Sequence, residues 1–189
     1  MKGRGRPRGF CTDEALCAAE RLFAERGYEA VSVADLCAAM GIKPPSFYAA
    51  FGSKADLFAR VVEGYAAGRG GGVLRGAMAS EPDPRLGIST MLTAAADAYA
   101  TGALGCLVME AGTGDGAAAC EAARIRTQEA IKDYAGEEAA GLVLIALAGL
   151  SSAARNGSSR DDLRSFAAIV SNGIIQRTCG DSRTREPRQ

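Results

Sequence analysis

Along almost the whole of this chain apolar residues recur three and four positions apart, and no stretch of useful length alternates apolar with polar. That period belongs to amphipathic helices, so the fold is expected to be all-α. Start and stop signals divide the sequence. Thr12 can cap a first helix, Asp13 and Glu14 suit its positive end, and Gly27 stops it. Ser32 with Asp35, and Ser53 with Asp56, spell the S-x-x-D capping pattern, and Gly41 ends the helix that begins at Ser32. Pro45 pushes Pro44 toward an extended shape, so a short helix is expected to begin at the second proline and run to Phe51. The pattern gives about nine helices: 12–26, 32–40, 45–51, one from 53, then 84–100, a short one at 105–111, 117–134, 137–155 and 159–177. Gly64, Gly68, Gly70, Gly71 and Gly72 mark a soft point or break after the fourth, because each interior glycine costs a helix about 1 kcal/mol relative to alanine.

Charge and residue content exclude several classes of function. The 22 basic and 22 acidic residues cancel, yet a nucleic-acid binder needs only a local basic face. Lys2, Arg4, Arg6 and Arg8 supply one, with no acid among the first eight residues. Histidine is absent, which removes histidine acid–base catalysis, Ser-His-Asp and Cys-His pairs, and histidine metal ligands. The cysteines Cys11, Cys17, Cys37, Cys106, Cys120 and Cys179 form no C-x-x-C pair, so they read as free thiols rather than a zinc or thioredoxin-like site. No enzyme, metal or cofactor is expected. The longest apolar run, 142–150, contains Gly149 and is too short for a bilayer, and the basic N-terminus lacks the apolar core of a signal peptide. The expected location is the cytoplasm, with no membrane partner. The glycines around Asp115 lack the G-K-[ST] ending of a phosphate loop and read as a connector.

The second and third helices flank the turn Gly41-Ile42-Lys43, which makes a helix-turn-helix. Leu16, Phe23, Val31, Val33, Leu36, Met40, Ile42, Phe47 and Phe51 can close a small core around it. Residues 18–27 (AAERLFAERG), 28–36 (YEAVSVADL), Met40-Gly41-Ile42, Phe47-Tyr48, Phe51 and Gly52-Ser53-Lys54 ahead of Leu57-Phe58 together resemble the TetR family of repressors. The resemblance covers residues 10–65. It implies a DNA-binding domain of three helices at 11–55, preceded by a flexible basic arm at 1–10. A helical ligand-binding and dimerisation domain would follow at 56–178, then a polar tail at 179–189.

The resemblance also implies roles. Ser32 and Lys43 would contact phosphates beside the turn, Tyr48 would match the family's phosphate-contacting tyrosine, and Lys54 would hold the DNA backbone. Pro44, Pro45, Ser46 and Ala49 would face base edges. Ala49 and Ala50 stand where polar residues are frequent, so specificity would lean on thymine-methyl contacts, Ser46 and DNA shape. The arm carrying Arg4, Arg6 and Arg8 resembles an AT-hook core and would enter a narrow minor groove.

The helices at 137–155 and 159–177 are apolar over broad faces, through Leu142, Leu144, Ile145, Leu147 and Leu150, and through Phe166, Ile169, Val170, Ile174 and Ile175. A lone hairpin cannot bury both, and the resemblance implies that the pair docks against its twin in a homodimer bound to a palindromic operator; the alternative is that both helices are internal core. Candidate pocket residues are Met91, Tyr99, Cys106, Met109, Cys120 and Arg124, with Glu110 and Tyr134 also considered. The expected function is a ligand-responsive transcriptional repressor released from its operator by a small molecule. The alternatives are a repressor that senses oxidants or electrophiles through Cys106 or Cys120, and a ligand-independent DNA-binding protein.

Overall fold

The computed structural model describes residues 11–101, 105–109 and 114–179, and every regular element among them is helical. The elements are α1 (Thr12–Arg26), α2 (Val33–Met40), α3 (Pro44–Phe51), α4 (Lys54–Ala67), α5 (Arg69–Ser80), α6 (Pro84–Ala100), α7 (Ala117–Ala135), α8 (Glu137–Arg155) and α9 (Arg160–Cys179). An N-terminal helix-turn-helix domain is joined through α4 to a C-terminal helical domain. One apolar core runs through both, from Ala15 in α1 to Ile174 in α9.

Local chemistry sets most of the boundaries. Ser32 and Asp35 form a complete capping box on α2. The Ser53 hydroxyl accepts the Asp56 N–H at 3.0 Å and starts α4. Ser159 caps α9 in the same way, accepting the Asp162 N–H at 3.1 Å. Gly41 ends α2 at φ 65°, in the left-handed region that glycine adopts without strain, and so turns the chain into α3.

Four expectations need correction. The cap of α1 is Cys11, with Thr12 the first helical residue and no side-chain capping bond. Helix α3 begins at Pro44, because the Lys43 carbonyl accepts from both Ser46 and Phe47, and prolines in a first turn withhold no needed donor. The glycine-rich stretch does break α4, at Gly68, but a further helix starts at once. Leu74 and Ala77 bury against the rest of the protein, and that packing outweighs the glycine penalty. The short helix expected at 105–111 is not formed over 105–109, which is a turn closed by the Met109 N–H on the Cys106 carbonyl.

The C-terminal helices pack as a bundle in which α6 lies against α5, α8 and α9, while α7 covers α4 and α8. Among the described residues one helix, α8, is long and apolar enough by length and composition alone to cross a membrane, a test that buried core helices also pass. It is nonetheless woven into the fold, with Val143, Leu147 and Leu150 fully buried. Each such side chain contributes about 1.5–3 kcal/mol. The outer face of the α8–α9 pair stays bare: Ile145 is 71% and Ile169 72% exposed, with Phe166 beside them at 42%.

Candidate nucleic-acid interface and ligand cavity

Helix α3 has two unlike faces. Phe47 and Phe51 are buried, with their rings 5.6 Å apart, and they anchor the helix on the core with Leu36 and Val31. Leu16, Val33, Met40 and Ile42 pack half-buried against that core. The opposite face exposes Pro44, Pro45, Ser46, Tyr48 and Ala49, and Lys43 stands exposed at its first turn. A convex helix face with Tyr48 as its one large exposed side chain fits a major groove about 12 Å wide. Tyr48 is 53% exposed and rests edge-on against Phe47, which fixes the direction of its phenol. Arg4, Arg6 and Arg8 lie outside the described residues.

Two of the expected phosphate contacts are already engaged within the protein. The Ser32 hydroxyl donates to the Asp35 carboxylate and accepts the Asp35 N–H at 3.1 Å. These bonds, with Arg26 at 3.6 Å, hold the Asp35 carboxyl below the usual carboxylate range, so a fixed negative charge sits at the start of α2. The Lys54 ammonium donates to the carbonyls of Tyr28 at 3.0 Å and Val31 at 3.1 Å, and it lies 4.0 Å from the centroid of the Tyr28 ring. Lysine thereby pins the start of α4 to the turn between α1 and α2, leaving one of its three N–H groups. Sequence reasoning missed this role because the partners are backbone atoms more than twenty positions away. Arg60 was missed as well: it donates to the Ala50 carbonyl at the end of α3, ten positions back and across the turn at Gly52.

A cavity of about 660 Å³ opens where α1, α4, α5, α6 and the turn at 105–107 meet. That volume is in the range of small-molecule sites. Its walls are mostly apolar, from Ala24, Leu74, Ala95 and Leu107, with Tyr65 and Tyr99 presenting rings. Gly70 belongs to the wall because Tyr65 packs onto its backbone, where a Cβ would stand 2.1 Å from the ring. Glu20 of α1 and Arg69 of α5 form an ion pair at the rim. Burial, and then the neighbouring Cys106, hold the Tyr65 and Tyr99 phenols well above their ordinary values, so both are neutral at physiological pH.

Of the six candidate ligand residues, the structure brings Tyr99 into this cavity and Cys106 against its two tyrosines. Met91 and Cys120 are fully buried core residues. Met109 packs on the core from a half-buried turn. Arg124 is held by Glu121 and by the Val108 carbonyl at 3.1 Å. Burial pushes the Cys120 thiol up to about 11, although Arg124 acts in the opposite direction. At neutral pH it holds almost no thiolate, the form that reacts with electrophiles.

The cavity is joined to the helix-turn-helix half by specific contacts. The Cys106 N–H donates to the buried Ser151 hydroxyl at 2.8 Å, and one turn further on Arg155 donates to the Ala24 carbonyl of α1 at 2.9 Å. Ahead of α7, Gly116 lies so close to Tyr28 that a Cβ there would sit 2.8 Å from the ring. Phe23, Tyr28 and Phe58 pack as a cluster with centroids 4.8–5.9 Å apart, one pair stacked and the others edge-on or tilted, and carry that contact into the core of the helix-turn-helix.

Residues 15–61 match the family model described as bacterial regulatory proteins, tetR family. The HTH-type transcriptional repressor BdcR of Escherichia coli (strain K12) is 56% identical over 61 residues, 32% of this chain and 31% of that protein. The repressor ComR of the same strain is 50% identical over 64 residues, 34% of this chain and 30% of its own length. The chain thus spans about a third of the curated relatives it matches. A solved cysteine mutant of the TetR family transcriptional regulator CifR, complexed with 26-bp operator DNA, is similar over far more of the chain. It is 32% identical with a TM-score of 0.79, over 88% of this chain and 98% of that one.

Proposed function

The chain belongs to the TetR family of transcriptional regulators, and on that premise we propose that it is a DNA-binding repressor released from its operator by a small molecule. The observation that carries this reading is the exposed face of α3, bare of large side chains except Tyr48 and backed by Phe47 and Phe51. Pro44, Pro45, Ser46 and Ala49 read base edges, and Lys43 and Tyr48 meet phosphates. Lys54 acts mainly by holding α4 on the turn before α2, and the arm with Arg4, Arg6 and Arg8 supplies further positive charge. The protein works as a homodimer on a palindromic site, joined through the face that bares Ile145, Phe166 and Ile169. The arm at 1–10, the DNA-binding domain at 11–55, the effector and dimer domain at 56–178 and the tail at 179–189 divide the work, in the cytoplasm.

The cavity beside α1 favours an effector-responsive protein over a ligand-independent one, because its wall includes residues of both halves. Occupancy shifts the pose of α1 and α4, and with it the spacing of the two recognition helices. Selection of bound genomic fragments with the purified protein, followed by gel shifts over a range of salt, tests the reading. A palindromic site bound by a dimer is the expected result. Weak, sequence-indifferent binding that vanishes with salt would exclude a specific repressor.

A further inference from the structure

The charge pair at the cavity rim is lopsided. The Glu20 side chain is only 17% exposed and is held in the wall by α1, whereas the Arg69 side chain is 74% exposed. Arg69 also stands at the start of α5, between Gly68 and Gly70. Of the two partners the arginine is therefore the one that swings into solvent at small cost, because its guanidinium is already largely hydrated. Removing it leaves a carboxylate facing an apolar space, next to the Tyr65 ring. A carboxylate with aromatic faces is the chemistry that recognises a cation with a greasy body.

We infer that the cavity takes a lipophilic monocation, whose charged head replaces Arg69 on Glu20 while its apolar body lies between Tyr65, Tyr99, Leu74 and Leu107. The inference rests on the reading of this cavity as the effector site. The two phenols stay neutral and offer their rings rather than a competing charge. An anion would have to take Arg69 from Glu20 and then lie beside that carboxylate, which is the unfavourable arrangement. Loss of the Glu20–Arg69 contact releases α5 from α1, so the ligand's charge is read directly by a helix of the DNA-binding half.

Calorimetric titration of the whole protein with tetraphenylphosphonium and with tetraphenylborate, ions of like shape and opposite charge, tests this without DNA present. The phosphonium is expected to bind at least about tenfold more tightly than the borate, and Glu20→Gln to weaken it about tenfold. Arg69→Gln removes the competitor and is expected to tighten the phosphonium, whereas an anion site would lose affinity. Glu20→Asp keeps the charge and should retain most of the binding, which separates lost recognition from lost folding. Borate binding as tightly as phosphonium, indifference to Glu20→Gln, weakening by Arg69→Gln, or no phosphonium heat at millimolar concentration each overturns the proposal. Glu20-dependent phosphonium binding that leaves operator affinity unchanged would uphold the cation site and overturn the inducible reading instead.

Discussion

Replacing Lys54 by methionine separates two roles for one side chain. In the structure its ammonium donates to the Tyr28 and Val31 carbonyls and lies over the Tyr28 ring. A hydrogen bond to a charged group contributes about 1.5–3 kcal/mol net, and half-burial puts these two near the lower end. The cation over the ring adds about 0.5–1 kcal/mol at an exposed site. Methionine keeps most of the stem's packing, and freeing an ordered lysine recovers about 1–2 kcal/mol of rotamer entropy. The net expected loss is about 2 kcal/mol, which in a chain of this length lowers Tm by about 4–8 °C. Melting at one fixed protein concentration measures it, since the proposed dimerisation would make Tm concentration-dependent. The salt dependence of operator binding is the companion assay, because each neutralised phosphate adds about 0.9 to the slope. A Lys54→Met protein that melts with the parent and loses about one unit of slope would refute the structural tie and make Lys54 a phosphate contact.

Other substitutions follow from the same geometry. Gly72→Ala and Gly76→Ala meet nothing within 4 Å inside α5, so urea unfolding should show each stabilising the protein by about 0.5–1 kcal/mol. Gly70→Ala should destabilise it, because the Cβ would sit 2.1 Å from the Tyr65 ring; a neutral result would mean that Tyr65 does not pack there. Lysine at both Ile145 and Ile169 should leave the fold intact and shift sedimentation to the monomer, with loss of operator binding. Cys120 has its pKa raised by burial, so the folded state holds a proton that the unfolded chain releases. Its contribution to stability is complete below the ordinary thiol value of about 8.5 and declines as pH rises toward about 11. Peptide-resolved alkylation of the native protein at pH 8 should label exposed Cys11 and Cys17 and spare Cys37, Cys106 and Cys120; labelling of Cys120 as fast as Cys17 would contradict its burial.

What the sequence revealed was local, and what it concealed was distant. The capping box at Ser32–Asp35, the cap of Ser53 on Asp56 and the stops at Gly27 and Gly41 act within one helical turn, so residue identity sufficed to place them. Helix α5 was hidden because its glycines argue against a helix, while the burial of Leu74 and Ala77 that sustains it depends on where α6 lies. The cavity was hidden more deeply. Glu20 and Arg69 are 49 positions apart and neither is unusual in its own stretch. Met91 and Cys120 share the composition of a pocket lining and turned out to be solid core. Whether an apolar helix position faces a partner or a void is decided by the angle at which helices meet, and periodicity carries no record of that angle.

The contacts between the two halves argue for how an effector would act. Arg69 holds Glu20 of α1, Arg155 holds the Ala24 carbonyl of α1, and Gly116 presses on Tyr28 in the turn that follows. Each lands on α1 or its end, and none involves a residue of α3. Phe23, Tyr28 and Phe58 lock α1 to α4 in an aromatic cluster, and Lys54 adds a polar bolt at the same place. Packed cores of this kind move as units rather than deform. A ligand in the cavity should therefore tilt the whole helix-turn-helix and leave the shape of α3 unchanged. Base preferences within a half-site should stay the same with and without effector, while the preferred spacing between half-sites, or the affinity at fixed spacing, changes. Selection from operator libraries randomised first in sequence and then in spacing measures both. An altered base preference at unaltered spacing would show that the signal remodels α3 itself, and the rigid-unit argument would be wrong.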